Sequence, residues 1–244
     1  MPKISLFGTM VKTQLWMEMY KSLEQNDTDF EIIAVGNKKP DFELPPNMRH
    51  IYTPVKPIQC SEIGFRATRG ELIMLTSDDV IFGPHALDNL YKQYDGIYSF
   101  RNKKVIISSR RLSNGVDDSD MMLRFNIKDS HSPLFPMNSI SSRDLWMELG
   151  GMDRRFIALW GDLDMAMRIY EVGGIGILSN DAMITELPDQ SILYNAWAIH
   201  NDIPMFASFW VKDNVIGENR LCPVEPFEDK DILTISQGNK GTWD

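Results

Sequence analysis

The chain has 244 residues, with 25 Lys+Arg against 34 Asp+Glu. The net charge of −9 lacks the basic footprint of a nucleic-acid binder and would be repelled by an anionic membrane surface. The 43% hydrophobic and 24% charged fractions are those of an ordinary globular chain, and two cysteines, Cys60 and Cys222, suit free thiols in a reducing, cytoplasmic setting.

Lys3–Gly8 reads as a first strand, followed by Leu15, Trp16, Met19, Tyr20 and Leu23 on one stripe of a helix from about Lys12 to Gln25. Phe30–Val35 reads as a second strand. Asn37–Pro57 is proline-rich and polar, hence loop, with one short extended piece at Ile51-Tyr52. Ser61 is expected to cap a helix that stops near Arg69-Gly70, and Glu71–Thr76 is expected to be a buried strand. Pro84 suits the first turn of a helix carrying Leu87, Leu90, Tyr91 and Tyr94 on one face.

The second half is less regular. Val105–Ser109 and Leu134–Ser139 are expected strands, and Ser142–Leu149 a short helix ending at Gly150-Gly151. Asp162–Val172 is a clearer helix, with Leu163, Met167 and Tyr170 at helical spacing and Gly173-Gly174 as its stop. Phe206, Phe209 and Trp210 recur at helical spacing and read as core, while the polar tail Ile235–Asp244 is expected to cap the active-site side. No apolar run has the length of a signal core or a membrane span.

Strand alternating with helix predicts an α/β sheet, in which ligands gather outside the carboxyl ends of the strands. Asp78 and Asp79 fall at such a strand end and read either as turn residues or as a hard-cation site. Asp164 and Arg168, four apart on a helix, are explained by an ion pair. Asp162 is either a helix cap or a general base, and Trp160 just before it is either core or a platform for a sugar face. His85 and His131 stand alone and give no metal-site signal.

The segment Gly70-Glu71-Leu72-Ile73-Met74-Leu75-Thr76-Ser77-Asp78-Asp79 resembles the A-x-G-E-Y-I-x-x-L-D-x-D segment of family 2 glycosyltransferases. Gly150-Gly151-Met152-Asp153-Arg154-Arg155-Phe156, with Asp162-Leu163-Asp164 and Arg168, is similar to their G-G-F-D-E-x-F … E-D-x-D-L-x-x-R segment, in the same order and at about the same spacing. With the opening strand, helix and second strand, the resemblance covers about residues 3–190.

The resemblance implies a single GT-A type three-layer α/β/α domain over 1–190 with a mostly parallel central sheet. Residues 1–95 would bind the nucleotide-sugar, 96–190 the acceptor and catalytic base, and 191–244 would form a C-terminal appendage packed on the same domain. By the same resemblance Asp79, assisted by Asp78, would hold manganese or magnesium, with Glu186 or His200 as a third ligand. Thr9, Gly36, Asn37, Ser77, Asp78 and Asp79 would line the nucleotide-sugar site, Trp160 and Asp153 the acceptor side, and Asp162 would be the base. Ser77, Gly36-Asn37 and Gly161 depart from the family pattern, standing where it has an aspartate, an aspartate pair and a glutamate.

The implied activity is inverting transfer of a hexosyl or deoxyhexosyl group from a UDP-, GDP- or dTDP-linked donor to a hydroxyl of a glycan or other acceptor. A sugar nucleotidyltransferase of the same fold needs a glycine-rich phosphate loop that Gly8-Thr9-Met10-Val11 does not supply. The alternative is a non-catalytic glycan- or nucleotide-binding module.

Overall fold

Strand β1 (Ile4–Thr9) is buried on both faces, with Ser5 satisfied by donating to Glu31, and it pairs in parallel with β2 (Phe30–Gly36) on one side and β4 (Leu72–Leu75) on the other. In the computed structural model, which describes residues 1–98, 104–117, 119, 138–188, 196 and 198–229, β3 (Met48–Tyr52) extends this parallel set beyond β2. Among the described residues the main sheet runs β3-β2-β1-β4-β8-β6-β9-β5. Here β5 is Val80–Phe82, β6 Val105–Ser113, β8 Ser139–Ser142 and β9 Ile175–Glu186, with the short β7 (Val116–Asp117) beside β6.

The period of two along each strand divides the interior into two cores. Ile4, Leu6, Ile32, Ala34, Leu72 and Met74 face α1 (Trp16–Leu23) and α3 (Ala86–Tyr98). Phe7, Ile33, Val35, Ile73 and Leu75 face α2 (Pro57–Ala67), α4 (Arg143–Glu148), α5 (Gly161–Glu171) and α6 (Ile203–Trp210). The result is the three-layer α/β/α class expected from the sequence. Pairing is parallel through β3-β2-β1-β4 and again between β6 and β9, whereas β8 joins both β4 and β6 antiparallel, and β5 joins β9 antiparallel. Phe206, Phe209, Trp210 and Phe227 lie in the same core as α2 and α5, so the described C-terminal segment is part of one hydrophobic interior. A two-stranded hairpin of β10 (Val211–Lys212) and β11 (Val215–Ile216) follows α6.

Helix α2 begins at Pro57, earlier than the expected cap at Ser61. A proline at the first helical position loses nothing, because that N–H has no intrahelical partner. Ser61 is therefore inside the helix. The helix also ends before Gly70: Thr68 is extended, and its hydroxyl donates to the Phe65 carbonyl at 2.6 Å. Gly70 serves a close approach instead, since a Cβ there would lie 2.8 Å from the Ser5 nitrogen. The expected extended piece at Ile51-Tyr52 is the end of β3, which starts at Met48, while the three-residue β5 is too short for periodicity to reveal. The expected strand at Leu134–Ser139 falls mostly outside the described residues, and the strand observed there starts at Ser139.

Candidate active site

The parallel register Thr9↔Val35, Phe7↔Leu75 and Gly36↔Tyr52 brings the carboxyl ends of β1 to β4 to one edge. Thr9, Gly36, Asn37, Ser77, Asp78 and Asp79 are gathered there by topology. Packing at this edge is tight: a Cβ at Gly36 would lie 2.5 Å from the Met10 carbonyl oxygen, and one at Gly8 would lie 1.9 Å from that of Thr76. The Thr9 hydroxyl donates to the Pro57 carbonyl at 2.7 Å and lies 3.4 Å from the Ser61 hydroxyl, tying the end of β1 to the start of α2.

Asp78 is buried, and its Oδ2 accepts from the Lys12 backbone N–H at 2.5 Å and the Trp16 indole N–H at 3.1 Å. Burial pushes its pKa up, opposed by those two hydrogen bonds and reinforced by the neighbouring Asp79 charge. Asp79 accepts from the Ser77 hydroxyl at 2.5 Å through Oδ1 and from the Lys12 ammonium at 2.8 Å through Oδ2. Ser77, the departure from the family pattern, thus orients Asp79.

The start of α5 reaches the same edge through α2. The Ile58 N–H donates to the Ile157 carbonyl at 3.0 Å, and a Cβ at Gly161 would sit 3.0 Å from Ile58 Cδ1, which accounts for a glycine where the family pattern has a glutamate. Trp160 precedes it with φ 67°, a left-handed conformation that strains a bulky residue and is typical of functional turns. Its half-buried ring packs on Phe206 at a centroid distance of 5.1 Å. Asp162 lies in the first turn of α5, and burial, with the charge of Asp202, raises its pKa to about 6 against the pull of its own and the Leu163 N–H. A carboxylate held near neutrality is suited to taking a proton.

Asp202 shapes this turn. It is fully buried at the start of α6 and accepts from the backbone N–H groups of Ile157, Ala158 and Leu159 at 2.9, 2.8 and 2.7 Å. The only sequence signal is an Asp just before Ile203-Pro204, the pattern of a helix start.

The run Gly150–Phe156 adjoins a second cluster of charge behind α5. Gly150 and Gly151 have φ of 83° and 70°, and a Cβ at Gly151 would meet the buried Glu62 carboxylate at 2.5 Å. The expected pair Asp164–Arg168 forms at 2.8 Å, and Arg168 also donates to the carbonyls of Leu149 and Gly151. Asp164 further accepts from the Trp210 indole and from Arg220. Asp153, expected on the acceptor side, has no exposed surface; it accepts from Arg155, Arg220 and the Glu225 N–H, and is a structural anchor. Burial alone would raise its pKa, but the Arg155 and Arg220 hydrogen bonds hold it down to about 2. Arg155 and Arg220 also lie over the Phe209 ring, at 4.1 and 4.2 Å from its centroid. Arg220 has no periodic signal and is invisible to sequence reasoning.

The pairing Val80↔Glu186 sets Glu186 beside Asp79 along the backbone, but the carboxylates of the expected metal ligands are engaged elsewhere. Both Asp79 oxygens are engaged by Ser77 and Lys12, Glu186 pairs with Arg111 at 3.1 Å, and His200 is exposed in the turn before α6. Among the described residues no three His, Cys, Asp or Glu side chains group to hold an ion. His85 is exposed and contacts Asp88 at 2.9 Å, while His131 and the tail Ile235–Asp244 lie outside the described residues. No helix among the described residues is long and apolar enough to cross a membrane.

No protein-family model matches the sequence, and no curated protein matches it. Solved structures do. S. aureus TarS 1-349 in complex with UDP aligns with TM-score 0.59 and 12% identity over 82% of this chain and 66% of that one. Its complex with UDP-GlcNAc aligns with TM-score 0.56 and 12% identity over 82% of this chain and 67% of that one. The chain thus spans about two thirds of those chains, and 40% of the longer TarS chain. At such identity the likeness is one of architecture, and it establishes that this chain has a GT-A-like glycosyltransferase fold.

Proposed function

We propose that the protein is a nucleotide-sugar-dependent glycosyltransferase. The strand-end edge, with Thr9, Gly36, Asn37 and Ser77–Asp79, receives the nucleotide diphosphate, and Asp162 acts as base toward an acceptor hydroxyl. The reading is supported by the position of Asp162: a carboxyl with its pKa raised to about 6 stands in a strained turn that α2 ties to the donor edge. The UDP and UDP-GlcNAc complexes of the structural neighbour make a uridine diphosphate sugar the first donor to try.

In this scheme the acceptor hydroxyl gives its proton to Asp162 while its oxygen attacks the anomeric carbon, and the bond from that carbon to the diphosphate oxygen breaks. One displacement inverts the anomeric configuration. The base contributes because an alcohol is a weak nucleophile at neutral pH, an effect of about 10²- to 10⁴-fold. The exposed part of the Trp160 ring is placed to meet a sugar face beside the base.

Asp162→Asn tests the assignment. It should keep nucleotide affinity and lower transfer or donor hydrolysis by about 10²- to 10⁴-fold. Near wild-type turnover would remove Asp162 from the mechanism, and donor affinity without turnover in the wild-type protein would favour a binding module. A thermal-shift panel of UDP, GDP, dTDP and CMP sugars identifies the donor, since a bound ligand raises the melting temperature by mass action.

A further inference from the structure

The chain places its own cation where the donor diphosphate would need one. Lys12 lies three positions past the end of β1 and is fixed at both ends: its backbone N–H is held by Asp78 at 2.5 Å and its ammonium by Asp79 at 2.8 Å. The Lys12 side chain is 23% exposed and that of Asp79 12%, so the pair sits at the rim of the strand-end edge and is neither sealed nor freely solvated. Ser77 holds the other Asp79 oxygen at 2.5 Å, which fixes the direction from which the ammonium is held.

We propose that Lys12 is the cation that receives the nucleoside diphosphate of the donor, and that donor binding does not depend on a divalent metal. The inference rests on the donor reading of this edge and names the group that neutralises the diphosphate. The 2.8 Å pairing with Asp79 fixes where the Lys12 ammonium stands, as a compact point charge at the rim of the edge. A divalent ion would have to displace this ammonium from Asp79 and Arg111 from Glu186, which the pairing Val80↔Glu186 sets beside Asp79, while His200 stands in the separate turn before α6. Anchoring at the backbone and the tip leaves little side-chain freedom to lose on binding, which favours affinity. When the diphosphate departs, negative charge grows on its oxygens, and a fixed ammonium stabilises that charge without reorganising.

Calorimetry with UDP and UMP, in EDTA and in manganese, tests the proposal on wild-type protein, Lys12→Met and Lys12→Arg. Wild-type protein should bind UDP in EDTA within about threefold of its affinity in manganese. Lys12→Met should lose about 10- to 100-fold for UDP in EDTA, the value of a hydrogen bond to a charged group, and little for UMP. Lys12→Arg should recover most of the loss, and a wild-type-like melting curve for both variants shows that the fold is intact. UDP binding that requires manganese, or that is unchanged in Lys12→Met, overturns the role of Lys12 and leaves the donor reading standing. Failure of the wild-type protein to bind UDP, GDP, dTDP or CMP in either buffer overturns the donor reading itself, and Lys12 with it.

Discussion

Two clusters of carboxylates flank the candidate site, and they are built differently. Behind α5, Asp153 and Asp164 are fully buried and surrounded by Arg155, Arg168 and Arg220, with indole and backbone donors filling the remaining positions. At the strand ends, Asp78 and Asp79 take donors from Lys12, Trp16 and Ser77, and the Lys12–Asp79 pair borders a partly exposed rim. The first cluster is saturated with donors and has nothing left to offer a ligand. The second holds Lys12 at a partly exposed rim, as the proposed donor site requires. Both clusters use aspartate, so it is the supply of donors and the access of solvent that separate an anchor from a site.

The largest effect should come from breaking the saturated cluster. Arg220→Met leaves Asp153 and Asp164 short of a buried partner, and should cost about 3–5 kcal/mol in urea unfolding. A loss under about 1 kcal/mol would show that the network does not carry the packing of the C-terminal segment. Gly151→Ala should cost about 1–3 kcal/mol, because it combines a positive φ with a clash against Glu62. Lys12→Met, by contrast, should change stability by about 1 kcal/mol or less, since the open pair is partly solvated. A larger loss would move Lys12 from the site to the scaffold.

Proton linkage sharpens the same contrast, with opposite signs for Asp153 and Asp162. Asp153 has its pKa held down to about 2 from an ordinary 3.8, so its stabilisation is present above 3.8 and is lost as pH falls toward 2. Asp162 has its pKa raised to about 6, so the native state keeps a proton that the unfolded chain has released, and stability falls as pH rises from 3.8 to about 6. Asp162→Asn should remove that fall in a series of melting curves, while Asp162-dependent turnover in the wild-type protein should rise through about pH 6. A flat turnover profile across that range would argue against a base with this environment.

The parallel half of the fold is legible in the sequence because its strands are buried on both faces and its helices carry a clean apolar stripe; β1, β2, β4, α1 and α3 lie close to where periodicity puts them. Asp78 and Asp79 lie between β4 and β5 and Asp162 in the first turn of α5, the places that strand order and helical spacing give them. What stays hidden depends on distant pairs. Lys12 gains meaning from Asp79, across 67 positions, and Arg220 from Asp153, also across 67. Asp202 holds a turn more than 40 residues away through backbone N–H groups that no side-chain pattern encodes. Asp153 shows the converse, because the resemblance places it on the acceptor side while in the fold it is buried between Arg155 and Arg220.

Hydrogen exchange with and without UDP-GlcNAc tests most directly whether the strand-end edge is a donor site. Binding there should slow exchange of the backbone N–H groups at 9–12, 36–37 and 77–80, and leave the peptides carrying Asp153 and Arg220 unchanged. Protection confined to other segments, or none with any nucleotide sugar that shifts the melting temperature, would contradict the assignment.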